Sequence, residues 1–490
     1  MKKIIALLTI FSSSLAFSQS IEFEVDKTVT SNHEVTINGK KLNYTAETGM
    51  QPVWNEQGEP IAGLQFTYYK VGDNAERPLV ISFNGGPGSA SVWMHLAYTG
   101  PRTLKISNEG FPTQPYGFKE NPYSILDVAD IVYVNPVNTG HSRPILDKEG
   151  NFNKKTFFGV NADVDYLAKW INTFVTRKDK WLAPKYLIGE SYGTTRVSGL
   201  ANELQNSHWM YINGVILVSP TELGIERDGP VEVANRLPYF AAAAWYHKTL
   251  APELQNKPVL ELLDEVETFT IQDLIPALTK GGFLDVETKM EIVKKMSYYS
   301  SIDEEVFLQN NLEVPFNTFW KTLKIEDGYT VGRLDSRYLG LDEKEAGTRP
   351  DYNSELTSWL QSFTPAINHY LKHELNYKTD LQYNMFGNVY PWDRTQNNTG
   401  KELRQAMAQN PSMQVMIQSG LFDGATTYFN AKYTMWHIDE SGKMKDRFHF
   451  KTYESGHMMY LRREDLKTAN DDIREFIKKS LPKDNAPIKY

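Results

Sequence analysis

The chain has 490 residues, 41% of them hydrophobic and 23% charged, with 27 Tyr, 24 Phe and 10 Trp. That length allows two to four domains or one large domain with an insertion, and the aromatic content supplies a large core, which excludes disorder over most of the chain. The net charge of −8, with no long Lys/Arg cluster, argues against nucleic acid as the main partner, and the zero cysteine count excludes disulfides, thiolate zinc sites, iron–sulfur clusters and a cysteine nucleophile.

Lys2 and Lys3 precede an apolar run from Ile4 to Phe11, broken by Thr9, and small residues end at Ala16-Phe17-Ser18. This is the pattern of a secretory signal peptide over residues 1–18, cut before Gln19. The run is too short to span a bilayer. The expected protein is secreted or periplasmic, with no membrane anchor.

Residues 19–220 are expected to form the first part of an α/β core. Up to about residue 75 the pattern predicts short strands and turns in a small antiparallel sheet. Val35-Thr36-Ile37 runs into Asn38-Gly39, a hairpin signal, and Leu42 and Tyr44 alternate beyond it. Apolar strands follow at 79–83, 131–134, 186–188 and 215–218, with helices over 161–176 and from Thr194 to about Gln205. Strands of this kind alternating with helices predict a mostly parallel sheet covered on both faces. From 221 to 410 the alternation stops, and the texture is mainly helical and irregular. That is too long for one crossover connection and predicts a cap insertion. The second part of the core spans 411–490, with strands near 415–418 and 448–453 and an amphipathic helix over 463–479.

Gly189-Glu190-Ser191-Tyr192-Gly193 matches G-x-S-x-G, between a predicted strand and a predicted helix. In that setting the sharp turn lifts the serine hydroxyl out of the sheet, and the helix points free N–H groups at developing negative charge. A serine nucleophile needs a base, and the base needs an orienting acid. On such a scaffold the order is Ser…Asp…His, each after a strand. Asp423, in Ser419-Gly420-Leu421-Phe422-Asp423-Gly424, and His457, in Glu454-Ser455-Gly456-His457, fit that order. His33, His95, His141, His208 and His247 fall outside it, and His437 and His449 lack the loop setting. His369 and His373 stand four apart beside Glu374, but without a third ligand they read as a solvated helix face rather than a metal site. No cofactor and no metal are expected. The N–H of Tyr192 is one candidate oxyanion donor. The loop Asn84-Gly85-Gly86-Pro87-Gly88 follows a strand as the second donor loop should, and it lacks the Gly-Lys-Ser/Thr ending of a phosphate loop.

Together these segments resemble the serine carboxypeptidase family of α/β-hydrolases with a helical insertion. The similarity is carried by Phe83 to Ser89, Val134 to Ser142, Ile188 to Gly193, Ile417 to Gly420 with Asp423, and Glu454 to Met458. The resemblance implies Ser191 as nucleophile, His457 as base and Asp423 as orienting acid, with an oxyanion hole from the Gly86 and Tyr192 N–H groups. It also implies a grip on a peptide's terminal carboxylate by Asn84, the Gly85 N–H and Glu190. Three positions depart from the family pattern. Ser89 stands where a cysteine is usual, which should loosen that loop. Leu421 replaces the first acid of an Asp-x-Asp segment. Tyr98 stands fourteen residues after Asn84, where the family has a second glutamate that shares a proton with the first at acid pH. A Tyr98 phenol donates a hydrogen bond at any pH below about 10, so carboxylate recognition is expected to persist with a weaker requirement for acid.

The leading expectation is a secreted serine carboxypeptidase acting on peptide or protein C-termini. An esterase or acyltransferase on the same scaffold is the alternative, and a non-catalytic binding protein is a third reading that the complete Ser/Asp/His set opposes. A homodimer is compatible with the sequence. Asn43-Tyr44-Thr45 and Asn397-Asn398-Thr399 match glycosylation sequons.

Overall fold

The computed structural model describes residues 23–481 and 489–490. The signal peptide expected over residues 1–18 lies outside them. The described chain opens with three long strands, β1 (Thr28–Ile37), β2 (Lys40–Trp54) and β3 (Pro60–Lys70), rather than short ones. Asn38 and Gly39 take φ of 47° and 77° in the turn between β1 and β2. Two positive φ values match the right-handed twist of a two-residue hairpin, which explains the Asn-Gly pair.

The remaining strands are β4 (Leu79–Phe83), β5 (Asp130–Val134), β6 (Lys185–Glu190), β7 (Gly214–Val218), β8 (Gln414–Gly420) and β9 (Phe448–Tyr453). They form one sheet with β1–β3, in the order β1-β2-β3-β5-β4-β6-β7-β8-β9, and the short segment Arg143–Pro144 pairs with β3. The N-terminal strands are therefore not a separate sheet: β3 pairs antiparallel with β5 from Phe66 to Tyr69. Those four residues are all buried, so the strand needs a partner on that edge. From β5 to β9 every pairing is parallel.

Alternation along the strands sends side chains to opposite faces. Val80, Ile188 and Ile216 join one buried cluster, and Leu79, Leu187 and Val215 join the other. The first face is covered by α1 (Val92–Ala97), α7 (Ser354–His369) and α10 (Arg463–Ser480). The second is covered by α2 (Val160–Arg177), α3 (Tyr192–Ser207), α8 (Thr399–Gln409) and α9 (Tyr428–Ile438). On α2, Leu167, Trp170, Ile171 and Phe174 recur at helical spacing and are fully buried, each burial contributing about 2 kcal/mol.

Between β7 and β8 the chain builds a third core from α4 (Leu237–Tyr246), α5 (Val259–Phe269), α6 (Val286–Ser300) and shorter helices. Leu421 and Phe422, from the loop after β8, belong to this core. Leu421 thus packs against these helices, which gives an apolar residue a role at that position. Among the described residues no helix is long and apolar enough to cross a membrane.

Candidate active site

Ser191 stands between β6 and α3 with φ 56° and ψ −128°, a conformation that strains a residue with a β-carbon. Its N–H bonds the Val218 carbonyl at 2.9 Å, which ties the turn to the end of β7. The flanking glycines are sterically required. A β-carbon on Gly189 would stand 2.1 Å from the Gly193 carbonyl oxygen, and one on Gly193 would stand 2.8 Å from the Phe83 carbonyl oxygen.

Asp423 and His457 come together across the ends of β8 and β9. His457 Nδ1 lies 2.7 Å from Asp423 Oδ2. The Asp423 carboxylate, fully buried, also accepts from Ala425 N–H at 2.8 Å, Thr426 N–H at 3.1 Å and the Thr426 hydroxyl at 2.7 Å. This is an Asx-type turn, in which the acid closes its own loop through Oδ1 while Oδ2 is shared by the Thr426 hydroxyl and the histidine. The ring of His457 is then fixed in the tautomer that leaves Nε2 free to accept. Burial opposes a charge on this ring, but the Asp423 charge, its hydrogen bond and Glu190 outweigh burial and Arg333, and the pKa stands above its ordinary value. The backbone of His457 is seated on both sides: its N–H bonds the Leu334 carbonyl at 2.7 Å, and its carbonyl accepts from Ser219 Oγ at 2.7 Å.

Ser191, His457 and Glu190 line one cavity of about 390 Å³, together with Gly85, Gly86 and Tyr192. Tyr192 opens α3, so its N–H has no carbonyl partner within the helix. A β-carbon on Gly85 would stand 2.5 Å from Tyr192 N, so only glycine keeps that N–H open to the cavity. Arg333, Leu334, Leu356, Trp359 and Phe386, from the chain between β7 and β8, also line the cavity.

The Gly85–Ser89 loop is held without a disulfide. Ser89 N–H bonds Gly85 O at 3.1 Å, Ala90 N–H bonds Met385 O at 3.0 Å, and Gly387 N–H bonds Gly88 O at 2.7 Å. The Ser89 hydroxyl accepts from Trp93 Nε1 at 2.6 Å. Backbone pairing with residues 385–387 ties this segment to that stretch of the chain.

Asn84 and Glu190 are in contact: Asn84 Nδ2 donates to Glu190 Oε1 at 3.0 Å. Asn84 is itself fixed, because Met94 N–H donates to its Oδ1 at 3.2 Å and Arg196 Nη1 to its carbonyl at 2.6 Å. Arg196 is buried and paired with Asp163 of α2 at 2.7 Å. Burial raises the Glu190 carboxyl to about 7, partly offset by His457 and by hydrogen bonds from Tyr460 and Asn84.

Tyr98 is a correction. Its phenol was expected beside Glu190, ready to donate to a substrate carboxylate. Instead it is fully buried and donates to Gln418 Oε1 at 2.6 Å. The group that donates to Glu190 Oε2 is Tyr460, whose ring stacks on that of Tyr98 with centroids 4.6 Å apart. Burial, followed by the Glu190 charge, raises the Tyr460 phenol well above its ordinary pKa, so it keeps its proton. Tyr460 follows His457 by three residues and Thr426 follows Asp423 by three. The D-x-x-T spacing is a readable turn signal, whereas nothing in the sequence distinguishes Tyr460 from a core tyrosine. At the His369/His373 pair, Glu374 beside His373 is engaged by Arg102 at 2.6 Å.

A mostly parallel sheet carrying Ser191 on a strand-to-helix turn, with an acid–histidine pair after the last two strands, defines an α/β-hydrolase. A sequence model described as serine carboxypeptidase matches residues 62–465, and the chain belongs to that family. Among curated relatives it is similar to serine carboxypeptidase-like 8 of Arabidopsis thaliana, 27% identical over 176 residues that cover 34% of this chain and 37% of that protein. It is also similar to serine carboxypeptidase-like 9 of the same plant, 25% identical over 40% of this chain and 44% of that protein. The matches thus span about two fifths of those relatives' length. Among solved structures, Kex1(Δ)p, a prohormone-processing carboxypeptidase from Saccharomyces cerevisiae, superposes with a TM-score of 0.52 at 13% identity, covering 89% of this chain and 91% of that one.

Proposed function

We propose that the protein is a secreted serine carboxypeptidase that removes residues from peptide C-termini through an acyl-enzyme on Ser191. His457 takes the Ser191 proton as the hydroxyl oxygen attacks the last peptide carbonyl, and Asp423 steadies the imidazolium. The resulting oxyanion receives hydrogen bonds from the Gly86 and Tyr192 N–H groups. Collapse breaks the C–N bond, with His457 returning its proton to the leaving amine, and the terminal amino acid departs. Water, deprotonated by His457, then hydrolyses the ester and restores Ser191.

The observation that carries this reading is the shared cavity: Ser191, a histidine 2.7 Å from a buried aspartate, and the buried Glu190 carboxyl, which burial raises to about 7. A protonated Glu190 donates to a carboxylate where an ionised one repels it. With Asn84 and the Gly85 N–H, it makes a grip for a free C-terminus. Tyr460, rather than a second glutamate, supports that carboxyl.

One observation favours a second reading, an esterase or acyltransferase on the same scaffold. The position of the family's second glutamate is Tyr98, and its hydroxyl is committed to Gln418. Mass spectrometry of a peptide and its C-terminal amide, each incubated with the enzyme, separates the two. Stepwise shortening of the acid with the amide spared supports the carboxypeptidase. Equal cleavage of both, or turnover of simple esters alone, removes it.

A further inference from the structure

Residues 332–337 of the insertion lie across both loops that carry the proposed acid and base. On the acid side, Gly424 N–H bonds Arg333 O at 2.9 Å and Ser336 N–H bonds Phe422 O at 3.0 Å. On the base side, His457 N–H bonds Leu334 O at 2.7 Å, and Arg337 Nη2 donates to Ser455 Oγ at 3.0 Å. Gly456 admits the segment closely, since a β-carbon there would stand 2.4 Å from Asp335 Cβ. One short strap thus fixes the relative placement of the Asp423 and His457 loops.

Two anchors hold the strap. Arg337 grips Asp335 with Nε 2.9 Å from Oδ1 and Nη2 2.6 Å from Oδ2. The other anchor is Glu355, in the first turn of α7, which is completely buried. Its Oε1 accepts from Leu334 N–H at 2.9 Å, so Leu334 joins this carboxyl directly to the backbone of His457. Gly332 makes the room, because a β-carbon there would stand 2.5 Å from Glu355 Oε2. A buried carboxyl is costly, and an apolar residue would avoid that cost but orphan the Leu334 N–H.

We propose that Glu355 is a positioning residue for the reaction, which locks Leu334 and, through it, seats His457 against Asp423. The inference rests on His457 being the base. The titratable and charged groups facing Glu355 are Arg333, Asp335 and Tyr338 of the strap region and Tyr239 of α4. Burial raises its carboxyl to about 7, opposed by the Leu334 and its own N–H hydrogen bonds and by Arg333, and reinforced by Asp335. It accepts from Leu334 N–H in either protonation state.

Three variants test this. Glu355→Ala removes the acceptor, Glu355→Asp withdraws it by one methylene, and Glu355→Gln keeps it. Peptide hydrolysis is measured below the melting transition of each variant, and the rate of fluorophosphonate labelling is followed against pH. The Ala and Asp variants are expected to lose about ten- to a hundredfold in kcat with KM within about threefold, the size of effect a misplacement of about 1 Å produces. The Gln variant should stay within about threefold of wild type in both constants, because Leu334 keeps its partner. The labelling midpoint, which reports His457, should move down in the Ala and Asp variants as the Asp423 contact slackens. Should Ala fail to fold, Asp carries the test. Folded Ala or Asp variants with wild-type kcat and midpoint overturn the inference, as does a Gln variant as impaired as Ala. A wild-type enzyme that never labels overturns the active-site reading and this inference with it, whereas a labelled wild type beside an unaffected Ala variant sinks this inference alone.

Discussion

Glu190→Gln probes the most unusual group in the site. Glu190 is nearly fully buried, and its carboxyl is raised from 4.5 to about 7, chiefly by burial. Below pH 4.5 the carboxyl is protonated in both the folded and unfolded chain. Between 4.5 and 7 the folded chain holds a proton that the unfolded chain releases, so stability falls as pH rises through that window. A carboxyl raised from 4.5 to about 7 corresponds to about 3 kcal/mol of folding free energy lost between pH 4.5 and 8. Glutamine keeps an acceptor for Asn84 Nδ2, while its amide meets the Tyr460 oxygen, so a pH-independent offset accompanies the substitution. The difference between proteins isolates the ionisation: urea unfolding at pH 5 and pH 8 should show Glu190→Gln gaining about 2.5 kcal/mol on wild type at the higher pH. Kinetics should follow the same group. The wild-type KM for a peptide acid should climb above pH 7 as the ionised Glu190 repels the substrate carboxylate, and the variant's KM should stay flat. A stability difference and a KM ratio that are both independent of pH would refute the placement of a protonated Glu190 in the grip.

Other substitutions test the surrounding geometry. Asp423→Asn presents an amide to His457 Nδ1 and favours the wrong tautomer; kcat should fall by about 10³- to 10⁴-fold with folding retained, and a loss under about tenfold would contradict the orienting role. Ser191→Gly abolishes turnover but relieves φ 56°, so a thermal melt should show a gain of about 1 kcal/mol, the released strain less the added backbone entropy of glycine; no gain would mean the turn is unstrained. Asp163→Ala strands the buried Arg196 guanidinium that holds the Asn84 carbonyl, and urea unfolding should report a loss of about 3–5 kcal/mol; a loss under about 1 kcal/mol would show the pair to be dispensable.

Much of this fold is legible because both kinds of periodicity are strong. Strands 79–83 and 215–218 are continuous apolar runs between turn signals, and 160–177 carries its apolar residues at helical spacing, so elements and parallel order follow from local pattern. The merging of the N-terminal strands into the main sheet is not local: it depends on Phe66–Tyr69 pairing with a strand more than sixty residues later. The proposed triad is equally local in origin, since each member sits in a short loop after a strand. What pattern misses is contact made by tertiary packing. Tyr98 and Tyr460 are both buried tyrosines on stacked rings, and only the backbone path decides which hydroxyl reaches Glu190. Likewise, nothing near Leu334 or Glu355 signals that they seat a histidine about a hundred residues further along the chain.

In the proposed reaction the hydroxyl at position 191 is the nucleophile. Treating the protein with a fluorophosphonate, digesting it and mapping the adduct by mass spectrometry tests this most directly. A single modification is expected on the peptide bearing Ser191, with peptide hydrolysis lost in step with labelling. An enzyme that trims peptides while Ser191 stays unmodified, or that is inhibited by an adduct elsewhere, would contradict it.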